Sequence, residues 1–322
     1  MAMSNLFPKR CAMAVLIQRI GAVVLLALVS ASFRSLGLQG NTTQSSTTTQ
    51  IVLLGTGTPG WDPDRSGPAT AIVVNGTPYL IDFGPGVVRR AGAAYQKGVK
   101  ALLPINLHVV FLTHRHMDHT VGYSDLIFSP AQIGGARKLP LEVYGPKGLK
   151  DMTEHILKGH MLNPDDSRYK VNAHEITPGI VYKDDNVTVK AFPVAHGDDI
   201  EAFGFRFETP DRTIVISGDT TPTQSVIDNC QSCDVLIHES YSMKTYNAVS
   251  AQAQANRKRL HTSTMQLAEL AGKVKPGLLI LYHRSNLGGV LEAVPNPEEA
   301  FLEEIRSAYA GKVVAGHDLD VY

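Results

Sequence analysis

The 322-residue chain has few cysteines and no excess of charge of either sign. It contains three cysteines, and its 30 basic residues are balanced by 30 acidic ones. No second CxxC pair accompanies Cys230 and Cys233, which excludes a structural zinc site built from two such pairs. These two thiols either form a small local disulfide or stay unlinked, and neither is expected to be catalytic. The charge balance gives no global indication of binding to nucleic acid or to an anionic surface.

The glycine-rich turn at 55–60 lacks the spacing of a dinucleotide fingerprint or a P-loop, and we expect it to be a tight turn near the cleft.

The N-terminal part differs in composition from the rest of the chain. Lys9, Arg10 and Arg19 precede an apolar run at 20–29, and small residues follow at 30–32. This pattern predicts a secretory signal at residues 1–31, with an uncleaved membrane anchor as the alternative. The apolar run is short for a bilayer, so no stable membrane span is expected after cleavage. Residues 32–50 are predicted to be a polar linker, and the protein to be exported, either to the periplasm or out of the cell.

From residue 51 onward, short apolar runs alternate with turn residues. The order is strand-rich, then helical, then strand-rich again, with a helix late in each half. Two such halves indicate paired sheets with helices outside them rather than a regular βαβ ladder. We therefore predict one α/β catalytic domain over residues 51–322.

The segment from His114 to His119 is the most informative in the chain. It follows the apolar run 109–113 and offers His114, His116, Asp118 and His119. A turn leaving a strand can direct these side chains into one cleft, and imidazole nitrogen and carboxylate oxygen suit divalent metals. Four ligands in so short a segment are more than one ion usually takes. The segment therefore predicts two metals side by side.

Three further predicted strands end in a potential ligand. His196 follows the run 187–192, Asp219 follows 214–217 and His283 follows 279–282. The expected sets are His114, His116 and His196 on one metal, and Asp118, His119 and His283 on the other, with Asp219 between them. Each ion keeps an open position for water, as a catalytic site requires. The two divalent ions are expected to be Zn²⁺, with Mn²⁺ or Fe as alternatives.

Several other polar residues end strands or begin helices near this set. His261 precedes a predicted helix and is a candidate proton donor to a leaving group, oriented by Glu239. Asp82 either hydrogen-bonds a ligand histidine or caps a helix. His238 is expected to be a buried partner rather than a ligand.

With these residues the chain resembles the metallo-β-lactamase superfamily. The resemblance rests on His114-x-His116-x-Asp118-His119, His196, Asp219 and His283, in that order across nearly all of residues 51–322. It implies a four-layer αββα sandwich with a dinuclear metal site at one edge of the paired sheets. Further motifs resemble the branch that holds ribonuclease Z and the arylsulfatases of this fold: Leu53-Gly55-Thr56-Gly57, Asp82 to Gly86, Ser217 to Thr220, His238-Glu239 and His261 to Ser263.

Within the superfamily, two features separate this chain from antibiotic-hydrolysing members. Those enzymes usually lack the equivalent of His119 and carry cysteine where Asp219 stands. Ribonuclease Z generally has a long basic arm between the positions of His196 and Asp219. Here that segment, 197–218, is short and acidic. We therefore expect nucleic acid to be an unlikely partner, and the stretches 192–197 and 202–207 look more like the arylsulfatase-type group.

The expected function is a dinuclear-metal hydrolase that cleaves a sulfate or phosphate ester, with a small-molecule ester as substrate. A metal-bridging hydroxide held by Asp118 and Asp219 attacks, and His261, steered by Glu239, protonates the leaving oxygen. Alternatives are a lactonase or other carboxylic-ester hydrolase, a ribonuclease Z-like phosphodiesterase and a non-catalytic metal-binding module. A homo-oligomer is left open. We expect residues 124–166 and a lid at 241–260 to shape the pocket.

Overall fold

The computed structural model describes residues 48–60, 62–133, 137–160, 166–285 and 297–322. All of these lie in one compact unit, Ser46–Tyr322. The predicted signal at 1–31, its anchor alternative and most of the predicted linker lie outside the described residues. None of the helices in the described ranges has the length and apolarity that a membrane span requires.

The first half of the chain forms a six-stranded mixed sheet in sequential order. Its strands are β1 (Thr49–Gly55), β2 (Ala69–Val74), β3 (Thr77–Ile81), β4 (Val109–Phe111), β5 (Leu141–Gly145) and β6 (Val171–Glu175). The first three strands pair antiparallel, and β3 to β6 pair parallel. Strand β1 begins at Thr49 rather than at Ile51, because the Asp211 carboxylate accepts a hydrogen bond from the Thr49 amide at 3.1 Å.

The second half forms a seven-stranded sheet in the order β13-β12-β11-β10-β9-β8-β7. Its strands are β7 (Gly179–Lys183), β8 (Thr188–Pro193), β9 (Phe203–Glu208), β10 (Thr213–Ile216), β11 (Val235–Tyr241), β12 (Leu278–Ser285) and β13 (Val313–Ala315). Strands β7 to β10 are antiparallel, whereas β10 to β13 are parallel. Because β9 is antiparallel to both neighbours, β8, β10, β11 and β12 all end at the same edge.

The helices connect the strands and cover the outer faces of the sheets. They are α1 (Val87–Gln96), α2 (Met117–Thr120), α3 (Tyr123–Ile133), α4 (Leu149–Gly159), α5 (Gln224–Cys230), α6 (Met243–Tyr246), α7 (Ala251–Leu260), α8 (Thr264–Val274) and α9 (Pro297–Ala308). At the end of α5, Cys230 and Cys233 form a disulfide, which is one of the two alternatives that the sequence left open.

Alternation along the strands divides the core into three layers. In β1, Ile51 and Leu53 face the second sheet, whereas Val52 and Leu54 face the helices on the outer side. Side chains of a strand point alternately to opposite faces, so a strand that is apolar throughout must be covered on both. Cores of this kind lie between the sheets, under α1, α3 and α4, and under α5, α8 and α9. The predicted four-layer αββα sandwich is confirmed.

Candidate metal centre

The candidate ligands lie at one edge of the sandwich, where the parallel strands end. His114 follows β4, His196 follows β8, Asp219 follows β10 and His283 lies near the end of β12. The backbone turns sharply at this edge: φ is +61° at Gly218, +60° at Asp82 and +40° at His283. Positive φ is uncommon for residues other than glycine and concentrates at functional sites. The local strain at Asp82 and His283 marks the same edge as the ligand pattern.

The first predicted ligand set is a cluster of three imidazoles. The Nδ1 atom of His116 lies 3.0 Å from Nε2 of His114 and 2.9 Å from Nε2 of His196. One ring nitrogen from each residue lies within 4.8 Å of the other two. His114 and His196 are buried, and His116 is partly exposed to the cavity. This arrangement offers three neutral nitrogens to one cation.

The second set lies beside the first and shares Asp219 with it. The Nε2 atom of His283 lies 3.0 Å from Oδ2 of Asp118, and Nε2 of His119 lies 3.6 Å from that oxygen. Oxygens of Asp219 lie 3.5 Å from His119 Nε2, 3.4 Å from His283 Nε2 and 3.9 Å from His196 Nε2. Asp219 therefore stands between the two sets, where a bridging carboxylate would stand. All seven predicted ligands converge, although their role as ligands stays a prediction.

The chemistry of the cluster fits a pair of divalent cations. Among the described residues, the buried atoms Nε2 of His119 and Oδ1 of Asp219 have no hydrogen-bond partner. Buried polar atoms without a hydrogen-bond partner are rare in protein interiors, and atoms that bind an ion are one class of them. The set of imidazole nitrogens and carboxylate oxygens suits Zn²⁺, Mn²⁺ and Fe²⁺.

Burial and neighbouring charge set the protonation of the cluster. Burial lowers the pKa of His114 well below its usual value, and it lowers the pKa of His116 and His196 as well. Burial alone would raise the pKa of Asp219, but His283 and His119 hold it well below the ordinary range. The three histidines of the first set are thus neutral and Asp219 is ionised. These are the forms that bind metal.

Hydrogen bonds from outside the cluster fix the tautomers of two ligands. The Asp82 carboxylate accepts a hydrogen bond from Nδ1 of His119 at 2.8 Å, and the Leu260 carbonyl accepts one from Nδ1 of His196 at 2.7 Å. Both oxygens can only accept, so in the neutral form of each ring the lone pair is left on Nε2, which faces the cluster. Asp82 therefore supports a candidate ligand. It does not cap α1, whose N-cap is Gly86 without a side-chain bond.

His261 and Glu239 lie together at the margin of the cluster. Nδ1 of His261 lies 3.2 Å from Oε1 of Glu239 and 3.9 Å from Oδ2 of Asp219. Burial lowers the pKa of His261, but the carboxylates of Glu239, Asp219 and Asp118 together outweigh it and raise the pKa to about 9. Glu239 is fully buried and also accepts from the backbone amides of Thr220 and Thr262. A protonated His261 on the cavity wall fits the predicted proton donor, a role that stays a prediction.

The remaining histidine of interest, His238, is fully buried behind the site. Its Nδ1 donates a hydrogen bond to the carbonyl of Glu239 at 2.7 Å. It belongs to none of the candidate metal clusters in the described residues. This position agrees with the expectation of a buried partner.

The cluster lies in a cavity of about 910 Å³, whose walls differ from those expected. No described residue of 124–166 lines it, and Leu260 is the only one from 241–260 that does. The main wall comes instead from the loop between β1 and β2, together with Met117 of α2 and Val121, which follows that helix. The one sequence signal for this wall was the glycine-rich turn at 55–60.

Comparison with known proteins identifies relatives over most of the chain. The family model described as "Beta-lactamase superfamily domain" matches residues 77–284. Ribonuclease Z of Mycobacterium bovis BCG is 31% identical over 280 residues, which cover 84% of this chain and 96% of the relative. Ribonuclease Z of Mycobacterium tuberculosis is 30% identical over 279 residues, with the same coverage.

Solved structures show the same fold at lower identity. The metallo-beta-lactamase fold protein YhfI of Bacillus subtilis has a TM-score of 0.66 at 16% identity, and the match covers 85% of this chain and 99% of that one. Human tRNase Z, short form, has a TM-score of 0.63 at 23% identity, covering 85% and 98%.

The relatives correct two expectations. The expectation that nucleic acid is an unlikely partner is wrong, because the curated relatives are ribonucleases. Among the functions considered, the relatives support the ribonuclease Z-like alternative better than the arylsulfatase-like reading.

Proposed function

Because the chain belongs to the beta-lactamase superfamily and has ribonuclease Z relatives, we propose that it is a metal-dependent phosphodiesterase that cleaves RNA. The observation that carries the proposal is the convergence of seven candidate ligands beside His261 in one open cavity. A diester needs a nucleophile on one side of phosphorus and a proton for the leaving oxygen on the other. The cluster and His261 offer groups for both.

The residues divide this chemistry between them. Two divalent cations, held by the two ligand sets and Asp219, would supply Lewis acidity and lower the pKa of water at neutral pH. Asp219 reaches both sets and fixes their separation. His261 holds its proton at the cavity wall and donates it to the leaving ribose oxygen. Glu239 orients the His261 ring and stabilises its charge. Asp82 and the Leu260 carbonyl keep the Nε2 lone pairs of two ligands on the reacting side.

Cations around the cavity suit a polyanionic substrate. Arg65 and Arg115 line the cavity, and Lys258 and Arg259 are exposed in the last turn of α7, directly before Leu260. A Cβ placed on Gly197 would lie 2.8 Å from Nη1 of Arg259, so this guanidinium lies against the turn that follows His196. No acidic residue occurs in the segment 240–268. Such cations bind phosphates and raise affinity at low salt.

A side-by-side substrate panel on metal-reconstituted protein tests the proposal. The panel contains a short single-stranded RNA, bis-p-nitrophenyl phosphate, p-nitrophenyl sulfate and an acyl-lactone. We expect both phosphodiesters to be cleaved, and His114→Ala, which removes a candidate ligand, to abolish cleavage of both. Faster hydrolysis of the sulfate or the lactone than of either phosphodiester would contradict the proposal. An inactive protein that binds less than one equivalent of metal would favour a non-catalytic binding module.

We further propose that the protein is exported by residues 1–31. N-terminal sequencing of the protein recovered from its native host tests this. A mature N-terminus near residue 32 is expected, and an intact Met1 in a membrane fraction would favour the uncleaved anchor.

A further inference from the structure

One wall of the cavity is a loop that is tied down by a residue far away in sequence. We call the described residues 56–60 and 62–67, which lie between β1 and β2, the wall loop. Its residues 58–60, 62 and 65–67 line the cavity beside the candidate metal ligands. A loop of this length needs bonds of its own to keep one shape, because ordering each of its residues costs conformational entropy.

Both ends of the wall loop are bonded to the carboxylate of Asp318. Oδ1 accepts hydrogen bonds from the amide and the hydroxyl of Thr56, each at 2.9 Å. Oδ2 accepts from the amide of Ser66 at 2.7 Å and lies 3.2 Å from Nε of Arg90. Nε of Arg90 also donates to the Ser66 hydroxyl at 2.8 Å. The Asp318 side chain is only 5% exposed, so these bonds are protected from water. This buried carboxylate closes the loop at its base together with one backbone hydrogen bond, from the amide of Gly57 to the carbonyl of Ser66 at 2.8 Å.

The segment that carries Asp318 is itself held in place by the sheet. It pairs with the outer edge of β1: the amides of Ile51 and Tyr322 each donate to the other's carbonyl at 2.9 Å. The amide of Leu53 donates to the carbonyl of Asp320 at 3.1 Å, and the amide of Leu319 donates to the carbonyl of Leu53 at 2.6 Å. Because these bonds do not involve the Asp318 side chain, changing that side chain leaves the docking of the segment intact.

The end of the wall loop at Gly67, directly after Ser66, packs against the backbone of the metal motif. A Cβ placed on Gly67 would lie 2.8 Å from the carbonyl oxygen of Asp118 and 2.2 Å from Cδ of Pro85. The amide of Gly67 donates to the Pro85 carbonyl at 3.0 Å. The position of the loop is therefore coupled to the floor of the cavity at one end and to Asp318 at its base.

We propose that Asp318 is a positioning residue for substrate binding, which holds the wall loop in the shape that the substrate meets. The inference rests on the proposed phosphodiesterase function. A loop without its anchor spends only part of its time in the binding shape, and the apparent affinity falls by that fraction. The candidate ligands keep their own supports in Asp82 and Leu260, so the chemical step is spared.

The test compares Asp318→Asn with Asp320→Asn in the full-length, metal-reconstituted protein. Asp320 is on the same segment, and its carboxylate accepts from the amide of His317 and the hydroxyl of Tyr322 without bonding to the wall loop. For single-stranded RNA, we expect Asp318→Asn to raise KM about 10-fold while kcat stays within about 2-fold. The control variant should match the wild type in both constants.

Hydrogen exchange supplies a readout that does not depend on activity. In Asp318→Asn, the amides of Thr56 and Ser66 should exchange faster, whereas those of Ile51 and Leu53 should keep their protection. Unchanged exchange in the wall loop would overturn the proposal, and so would a fall in kcat at unchanged KM. Loss of protection along all of β1 would also overturn it, because Asp318 would then be holding the terminal segment. A wild-type protein inactive on RNA but with this exchange pattern would count against the proposed function and not against the anchor.

Discussion

Replacement of Asp82 by asparagine is expected to weaken metal binding without changing the fold. The carboxylate is buried and accepts three hydrogen bonds: from the amide of Thr113 at 2.8 Å, from the Thr113 hydroxyl at 2.9 Å and from Nδ1 of His119 at 2.8 Å. Asparagine has the same shape but only one oxygen. That oxygen can still accept from Thr113, and the amide NH₂ then faces the N–H of His119.

The NH₂ group of the asparagine and the Nδ1–H group of His119 are both donors and cannot bond to each other. The His119 ring therefore moves its proton from Nδ1 to Nε2. Nε2 of His119 lies 3.5 Å from Asp219. Once this nitrogen carries the hydrogen, it has no lone pair for a metal. Loss of such an outer hydrogen bond typically reduces metal affinity about 10–100-fold. A tenfold change corresponds to about 1.4 kcal/mol, so the expected loss is about 1.4–2.8 kcal/mol.

Competition with a chromogenic chelator measures this loss, and Asp184→Asn is the matched control. Asp184 accepts hydrogen bonds from the hydroxyls of Tyr79 and Tyr182, at the opposite end of β8 from His196. The Asp184→Asn change should therefore lower the melting temperature without changing the metal affinity. Wild-type affinity in Asp82→Asn, or an equal loss in Asp184→Asn, would refute the reasoning.

Four further predictions concern the leaving group, the metals, RNA binding and the disulfide. His261→Ala should slow RNA cleavage about 10²–10⁴-fold but slow nitrophenyl esters much less, because nitrophenolate leaves without a proton; an equal loss along a leaving-group series would remove this role. Chelation should lower the melting temperature, since metal at 100 times its Kd stabilises the folded state by about 2.7 kcal/mol; adding two equivalents should reverse the shift, and no shift would contradict the ligand set. The double change Lys258→Ala and Arg259→Ala should reduce the slope of log KM for RNA against log salt by about 1.4; KM for bis-p-nitrophenyl phosphate serves as the control and should not change. The double change Cys230→Ser and Cys233→Ser should cost about 2 kcal/mol of stability, read from urea unfolding, and leave kcat unchanged because the pair lies at the start of β11 and the site at its end; a fall in kcat would show coupling to the site.

The pattern of apolar runs predicted paired sheets with helices outside them, the resemblance to the metallo-β-lactamase superfamily implied the four-layer order, and the ligand cluster followed from the residues at the strand ends. Strands that are apolar on both faces, such as β1, require cover on both sides, and this requirement leads to stacked sheets with helices outside. Histidine and aspartate at the ends of parallel strands must meet at one edge. Even Asp82 could be nominated as a support for this reason. The choice between its two roles required the position of His119, which only the folded structure gives.

The cavity walls could not be predicted in the same way. The wall loop gets its shape from Asp318, which is separated from Thr56 by 262 residues in sequence. No local pattern relates the two. The segment 124–166 was expected to shape the pocket. Its described residues belong mainly to α3, β5 and α4, and most of their buried apolar side chains fill the core on the outer side of the first sheet.

The error about nucleic acid came from treating the charge of a segment as the charge of the site. None of the described residues in 197–218 lines the cavity. Three of its carboxylates have internal partners: Glu201 accepts from the Lys147 amide, Glu208 from Nε of Arg206 and Asp211 from the Thr49 amide. The cations that do line the cavity, Arg65 and Arg115, come from two other loops. The potential that a phosphate meets depends on side chains close to it in space, because salt screens charges beyond about 8–10 Å. The short acidic segment 197–218, which stands where ribonuclease Z generally has a long basic arm, therefore lacks one set of RNA contacts. The electrostatic potential of the cleft is set by residues elsewhere in the chain.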